Sequence, residues 1–131
     1  MAAFTVTITP RFYETDALGH INNASIAAWL EVVRMGFIAS LSGSGSQQEP
    51  DRADNWILAS LQIDFVAETF FGDDVIGCVT AAEAGNSSLT VHCELSQGGR
   101  LTVKARAVVV FMDPQTRRPA RLPDAYRGQL D

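Results

Sequence analysis

Cysteine and histidine are scarce in this chain, two of each. Cys78 and Cys93 lie in apolar, strand-like runs, where reduced core thiols are expected rather than a disulfide framework. With His20 and His92 far apart, no metal-binding set is expected. Positive charge is also short. Ten Lys and Arg against fifteen Asp and Glu leave a formal net charge of −5, which disfavours a general binder of nucleic acid or of anionic membrane. No apolar run approaches the roughly 18 residues of a membrane span. The first residues alternate as a strand, Phe4-Thr5-Val6-Thr7-Ile8-Thr9, without the basic and apolar blocks of a signal peptide. The expectation is a cytoplasmic protein with neither a nucleic-acid nor a membrane partner.

What is present amounts to one domain. The chain has 131 residues, 47% of them hydrophobic and 19% charged, enough for a single core. Its charge is uneven. Residues 1–99 hold three arginines against twelve acids (net −9), and residues 100–131 hold seven basic residues against three acids (net +4). The basic quarter reads first as charge balance, and second as a local phosphate site built from Arg100, Lys104, Arg106, Arg117, Arg118 and Arg121.

The pattern along the chain predicts a strand over Phe4–Phe12, a loop to Asn22 and a long helix from Ala24 to Leu41. Ile26, Leu30, Val33, Phe37 and Leu41 recur at helical spacing. Glu31 and Arg34, i and i+3, are the charges of this helix and can pair. So apolar a helix is expected to be enclosed. Ser42–Asp51, rich in Gly and Ser, reads as a flexible connector. Period-two segments then predict strands over Trp56–Ala67, Val75–Glu83, Leu89–Ser96 and Arg100–Met112, with turns at Gly85-Asn86 and Gly98-Gly99. The tail, Asp113–Asp131, is expected along the surface. The sum is an α+β domain with one five-stranded antiparallel sheet against one helix. Val108–Met112 is apolar on both faces, which calls for a second cover such as a subunit interface.

The chemistry concentrates where loop meets helix, in Thr15-Asp16-Ala17-Leu18-Gly19-His20-Ile21-Asn22-Asn23. The first-turn amides of a helix lack intrahelical acceptors and carry partial positive charge. A carboxylate beside them suits work on a carbonyl, with the amides stabilising an oxyanion. Asn23 is the expected N-cap and its amide the oxyanion donor; Asn22 is the alternative cap. Gly19 allows close backbone approach or a turn with positive φ.

The stretch Arg11–Asn23, followed by Trp29-Leu30-Glu31 and Arg34, resembles the 4-hydroxybenzoyl-CoA thioesterase-like branch of the hot-dog fold thioesterases. Leu61–Phe65 with Gly72–Val75, and Arg118-Pro119 with Leu122-Pro123, extend the resemblance along almost the whole chain. It implies a sheet wrapped around one long central helix, and two subunits sharing a continuous larger sheet as a homodimer or homotetramer, with the sites between them. It implies hydrolysis of an acyl- or aroyl-CoA, needing no cofactor because coenzyme A belongs to the substrate. By carry-over Asp16 is the catalytic carboxylate, as nucleophile or as base for water. His20 orients Asp16, bonds the substrate or holds the loop; Ile26 sits on the substrate side, and Asn22 serves as loop scaffold or as a substrate contact. The family often has Tyr where this chain has Ile26, which makes the acyl pocket more apolar. Glu68 is a rival carboxylate whose simpler reading is a solvated connector residue. Other readings are an acyl-carrier-protein thioesterase, a hot-dog protein binding acyl-CoA without turnover, and a hydratase. The last typically has Asn-Pro before its His, absent here.

Overall fold

The computed structural model describes residues 4–41, 55–128 and 130. The connector expected over Ser42–Asp51 lies outside them. Five strands, β1 (Phe4–Ile8), β2 (Trp56–Phe65), β3 (Val75–Ala84), β4 (Ser88–Gln97) and β5 (Arg100–Phe111), form one sheet in the order β1-β3-β4-β5-β2. Every pairing is antiparallel. The long helix α1 (Asn23–Leu41) lies against one face, and a short helix α2 (Asp124–Arg127) follows the last strand.

Alternation decides which face meets α1. Leu89, Val91, Cys93 and Leu95 of β4, with Val103, Ala105, Ala107 and Val109 of β5, are buried on the helix side. Leu30, Val33 and Phe37 of α1 fill the space above them. Gly77 of β3 permits the close approach, since a Cβ there would stand 2.5 Å from Val33 Cγ2. The helix is enclosed on one side only: eight of its 19 residues are buried, while Ala28 and Val32 stay exposed, short of the enclosure expected. The expectation that no segment is apolar enough to span a membrane is not: by length and composition Asn23–Leu41 qualifies, with a mean hydropathy of 1.4. Its alanines and Gly36 count as apolar once averaged, and Glu31 and Arg34 are its only charges. Here it serves as a core helix, its apolar stripe buried against the sheet.

Three boundaries differ from expectation. β1 stops at Ile8, and beyond Pro10 the residues Phe12–Glu14 form a 3₁₀ turn, because proline cannot donate to a ladder. β2 ends at Phe65, where the amides of Val66 and Ala67 both turn onto Thr102 O, at 2.9 and 3.1 Å. The tail is part of the core. Leu122 is fully buried, and Tyr126 stacks edge-on with Trp56, centroids 5.4 Å apart. Arg127 ties it down through the carbonyls of Leu122, Gly85 and Asn86. Tyr126 and Trp56 thus cover Phe111 at the end of β5. Val108 and Val110 remain half-buried on the other face.

Both cysteines are free thiols, Cys93 in the core and Cys78 half-buried. Burial pushes the Cys93 thiol up from 9.0 to about 11, against the pull of nearby Arg34. Burial, then Glu94, raises Cys78 in the same direction. The folded chain keeps these protons where the unfolded chain has lost them. The stabilisation is complete below about pH 9 and disappears as pH rises towards 11. For Cys93 it amounts to about 2–3 kcal/mol. Urea unfolding at pH 8, 9.5 and 10.5 should show a shallower decline in Cys93→Val than in the parent. Arg34 is 3% exposed, and burial lowers its pKa. The expected partner Glu31 is near, at 4.0 Å from Nη2.

Candidate active site

Two loops meet at the start of α1. The first is closed by a bridge between Thr15 and Ile21 and by the Asp16 amide donating to His20 O at 2.7 Å. Asp16 folds back onto it, Oδ1 accepting from Leu18 N–H at 2.8 Å and His20 N–H at 3.1 Å. Oδ2 is left without a partner among the described residues. Gly19 supplies the reversal with φ +84°. A Cβ there would touch nothing, so conformation and not space requires the glycine.

The second loop, residues 66–70, is zipped to the first. Ile21 N–H donates to Thr69 O at 2.8 Å, and His20 bridges Phe70. Gln97 clamps the far side, accepting from Phe70 N–H and donating to Phe70 O and Asp73 O.

Asn22, not Asn23, caps the helix. Its Oδ1 accepts from Ser25 N–H at 2.7 Å, while its own amide and Nδ2 both donate to Glu14 O at 2.8 Å. Asn23 occupies the first helical position, where the chain is already helical and its side chain cannot cap. The first intrahelical bond runs from Ile26 N–H to Asn22 O. The amides of Asn23 and Ala24 precede it and have no helical acceptor. Glu14 is the pin of the assembly, Oε2 taking Trp29 Nε1–H at 2.8 Å and Oε1 taking Arg11 N–H at 2.7 Å. Asn22→Ala should therefore cost about 1–2 kcal/mol from the cap, before the lost Glu14 contact is counted. A fall in the urea midpoint at unchanged m-value checks this.

Between the loops and the helix start opens a cleft of about 430 Å³. Asp16, His20 and Asn23 stand on one side and Phe65–Thr69 on the other, with Ile21 and Ile26 lining it as well. Three of the four expected catalytic positions thus share one cavity. Gly19 and Asn22 are not among the residues that line it. Ile26 does line it. The basic residues do not. Arg100 sits in the β4–β5 hairpin near this end of β5. Lys104 and Arg106 share a face, as expected, but it is the exposed face away from α1. Arg117 and Arg118 lie in the turn after β5, roughly 35 Å along the strand from Arg100. One chain therefore cannot gather them at the cleft. His92 pairs with Glu83 on the outer face at 3.1 Å.

Glu68 is exposed, 59% at its side chain, as a connector residue would be. It lines the cleft, and its Oε2 lies 3.3 Å from His20 Nε2. The partners are 48 positions apart, so only the zipping of the loops brings them together. Glu14 and Gln97 carry no signal in the sequence, since their roles are bonds to distant backbone that no local pattern encodes.

The profile of the thioesterase-like superfamily matches residues 10–130. The chain belongs to that superfamily. Its fold is the hot-dog arrangement, one antiparallel sheet around a long helix. A structure described as a predicted thioesterase from Bacillus stearothermophilus superposes with a TM-score of 0.86 at 33% identity, covering 98% of this chain and 94% of that one. A thioesterase from Thermus thermophilus, solved with coenzyme A and Zn, gives 0.82 at 26% identity over 96% and 90%. YsmA of Bacillus subtilis (strain 168), an uncharacterised protein, is 28% identical over 90 residues, 69% of this chain and 58% of that relative's length.

Proposed function

We propose that this protein hydrolyses the thioester of an acyl- or aroyl-CoA to the free acid and coenzyme A. One observation carries the reading: Asp16, whose Oδ2 has no partner among the described residues, and Asn23, the first residue of α1, line one cleft. Asp16 attacks the carbonyl carbon to give a mixed anhydride, or draws a proton from attacking water. The carbonyl oxygen, charged in the transition state, takes the Asn23 amide. Such a donor is typically worth about 3 kcal/mol. Thioesters suit the arrangement because a thiolate leaves readily and needs no strong acid in the site. The coenzyme A in the Thermus thermophilus relative supports that carrier over an acyl-carrier protein. Ile21, Ile26 and Phe65 give the acyl side an apolar wall.

The working unit in this reading is a dimer of two hot-dog domains joined along β2. The two free thiols fit the reducing cytoplasm. The test is thiol release from a panel of aliphatic and aromatic acyl-CoAs. Release above the uncatalysed rate supports the enzyme, and tight binding without release supports a non-catalytic acyl-CoA binder.

A further inference from the structure

The cleft holds two carboxylates, and both reach the same histidine. Asp16 Oδ1 accepts the backbone N–H of His20, and Glu68 Oε2 lies 3.3 Å from its Nε2. Among the described residues the imidazole also meets Phe70, edge-on at 5.3 Å between centroids. Phe70 is held in turn by both amide atoms of Gln97. A ring set this firmly, 28% exposed at its side chain and lining the cleft, is more than loop scaffold.

We propose that Glu68 is a positioning residue of this reaction, holding the His20 imidazole by Nε2 so that Nδ1 exchanges protons in the cleft. The inference rests on the thioesterase reading and divides the labour between the two acids. A carboxylate facing Nε2 requires that nitrogen to carry its proton, leaving the lone pair on Nδ1. Asp16 first attacks the thioester carbon; the C–S bond breaks and its electron pair leaves on sulfur. Water then attacks the same carbonyl of the mixed anhydride. One water proton passes to Nδ1, the new C–O bond forms, and the anhydride bond breaks with its electrons returning to the Asp16 carboxylate. The thiolate, released in the first step, takes up a proton from solvent and the imidazolium returns its proton to solvent, so one water is consumed and one acid and one thiol are made. Glu68 takes no part in the proton transfers; its carboxylate faces Nε2 and steadies the imidazolium.

The cycle predicts that the first turnover and the later ones respond differently. With benzoyl-CoA and hexanoyl-CoA as probes, Glu68→Ala should release about one thiol per site in a burst at the parental rate. Steady-state kcat should then fall about 100-fold. His20→Ala should behave alike, and the double variant should be no slower than either. A burst slowed as much as the steady state, additive losses, or an unchanged steady state would overturn the proposal. An NMR signal from the His20 ring N–H, assigned with His20→Ala, should be visible in the parent and lost in Glu68→Ala. Its persistence would overturn the anchoring without any substrate. If no acyl-CoA releases thiol from the parent, the hydrolase reading fails, and this signal alone decides whether Glu68 holds the ring.

Discussion

Asp16→Asn is expected to lower kcat by about a thousandfold or more while leaving the melting temperature within about 2 °C. The asymmetry follows from how the two oxygens are used. Oδ1 is structural: it accepts from Leu18 and His20 and keeps the loop reversed at Gly19. The asparagine carbonyl accepts the same two bonds, and the residue is exposed, so neither packing nor loop geometry changes. In the proposed mechanism Oδ2 is the reacting atom. Replaced by an amide nitrogen, it can neither attack a carbonyl nor take a proton from water. Stopped-flow thiol release should show no burst in this variant, in contrast to Glu68→Ala, because the C–S bond never breaks. Near-parental turnover would place the reacting carboxylate elsewhere, with Glu68 the next to test. Asp16→Ala is the weaker experiment, since it also releases the loop.

The elements that could be read from the sequence are those set by neighbours in sequence. The helical spacing from Ile26 to Leu41 marks α1, and the glycines at 98 and 99, both with positive φ, mark the β4–β5 hairpin. The loop from Asp16 to Asn23 was legible because its residues bond mainly to one another and to the helix they precede. What escaped depends on distant partners. The tail looks polar and proline-rich, yet Leu122 and Tyr126 are single apolar residues that find the sheet's open end. The choice of Asn22 over Asn23 as cap was decided by Glu14 O, which accepts both Asn22 donors. Glu68 reads as a solvated connector residue until two loops, separated by α1 and β2, are brought into register by Ile21 and Thr69.

Leu58→Arg is expected to turn the proposed dimer into a monomer and to cost at least about 100-fold in kcat/KM. β2 is the last strand of the sheet, ten residues long, with one edge unpaired among the described residues. Ile57, Leu58, Phe65 and Val66 are all more than 40% exposed along it. An apolar edge of this length is a liability unless covered. In the proposed dimer a second copy, related by a twofold axis through the middle of β2, would cover it with itself, antiparallel, giving one ten-stranded sheet. That operation sets the start of one β2 beside the end of the other. Met112 N–H bonds to Asn55 O, so the turn carrying Arg117 and Arg118 travels with the start of β2. It therefore arrives next to the partner's Phe65–Thr69 and its cleft. In that proposed dimer Arg117 and Arg118 of one chain would face the acidic cleft of the other, within reach of the phosphates of a bound coenzyme A. In the monomer Leu58→Arg is nearly free of cost, because the side chain is already 44% exposed. Its whole effect then falls on association and on the sites that association completes. Light scattering at micromolar concentration reads the first, and KM for the acyl-CoA reads the second. Arg117→Ala with Arg118→Ala separates them: the dimer should persist while KM rises about tenfold or more. A Leu58→Arg monomer with parental turnover would show that each chain holds a complete site.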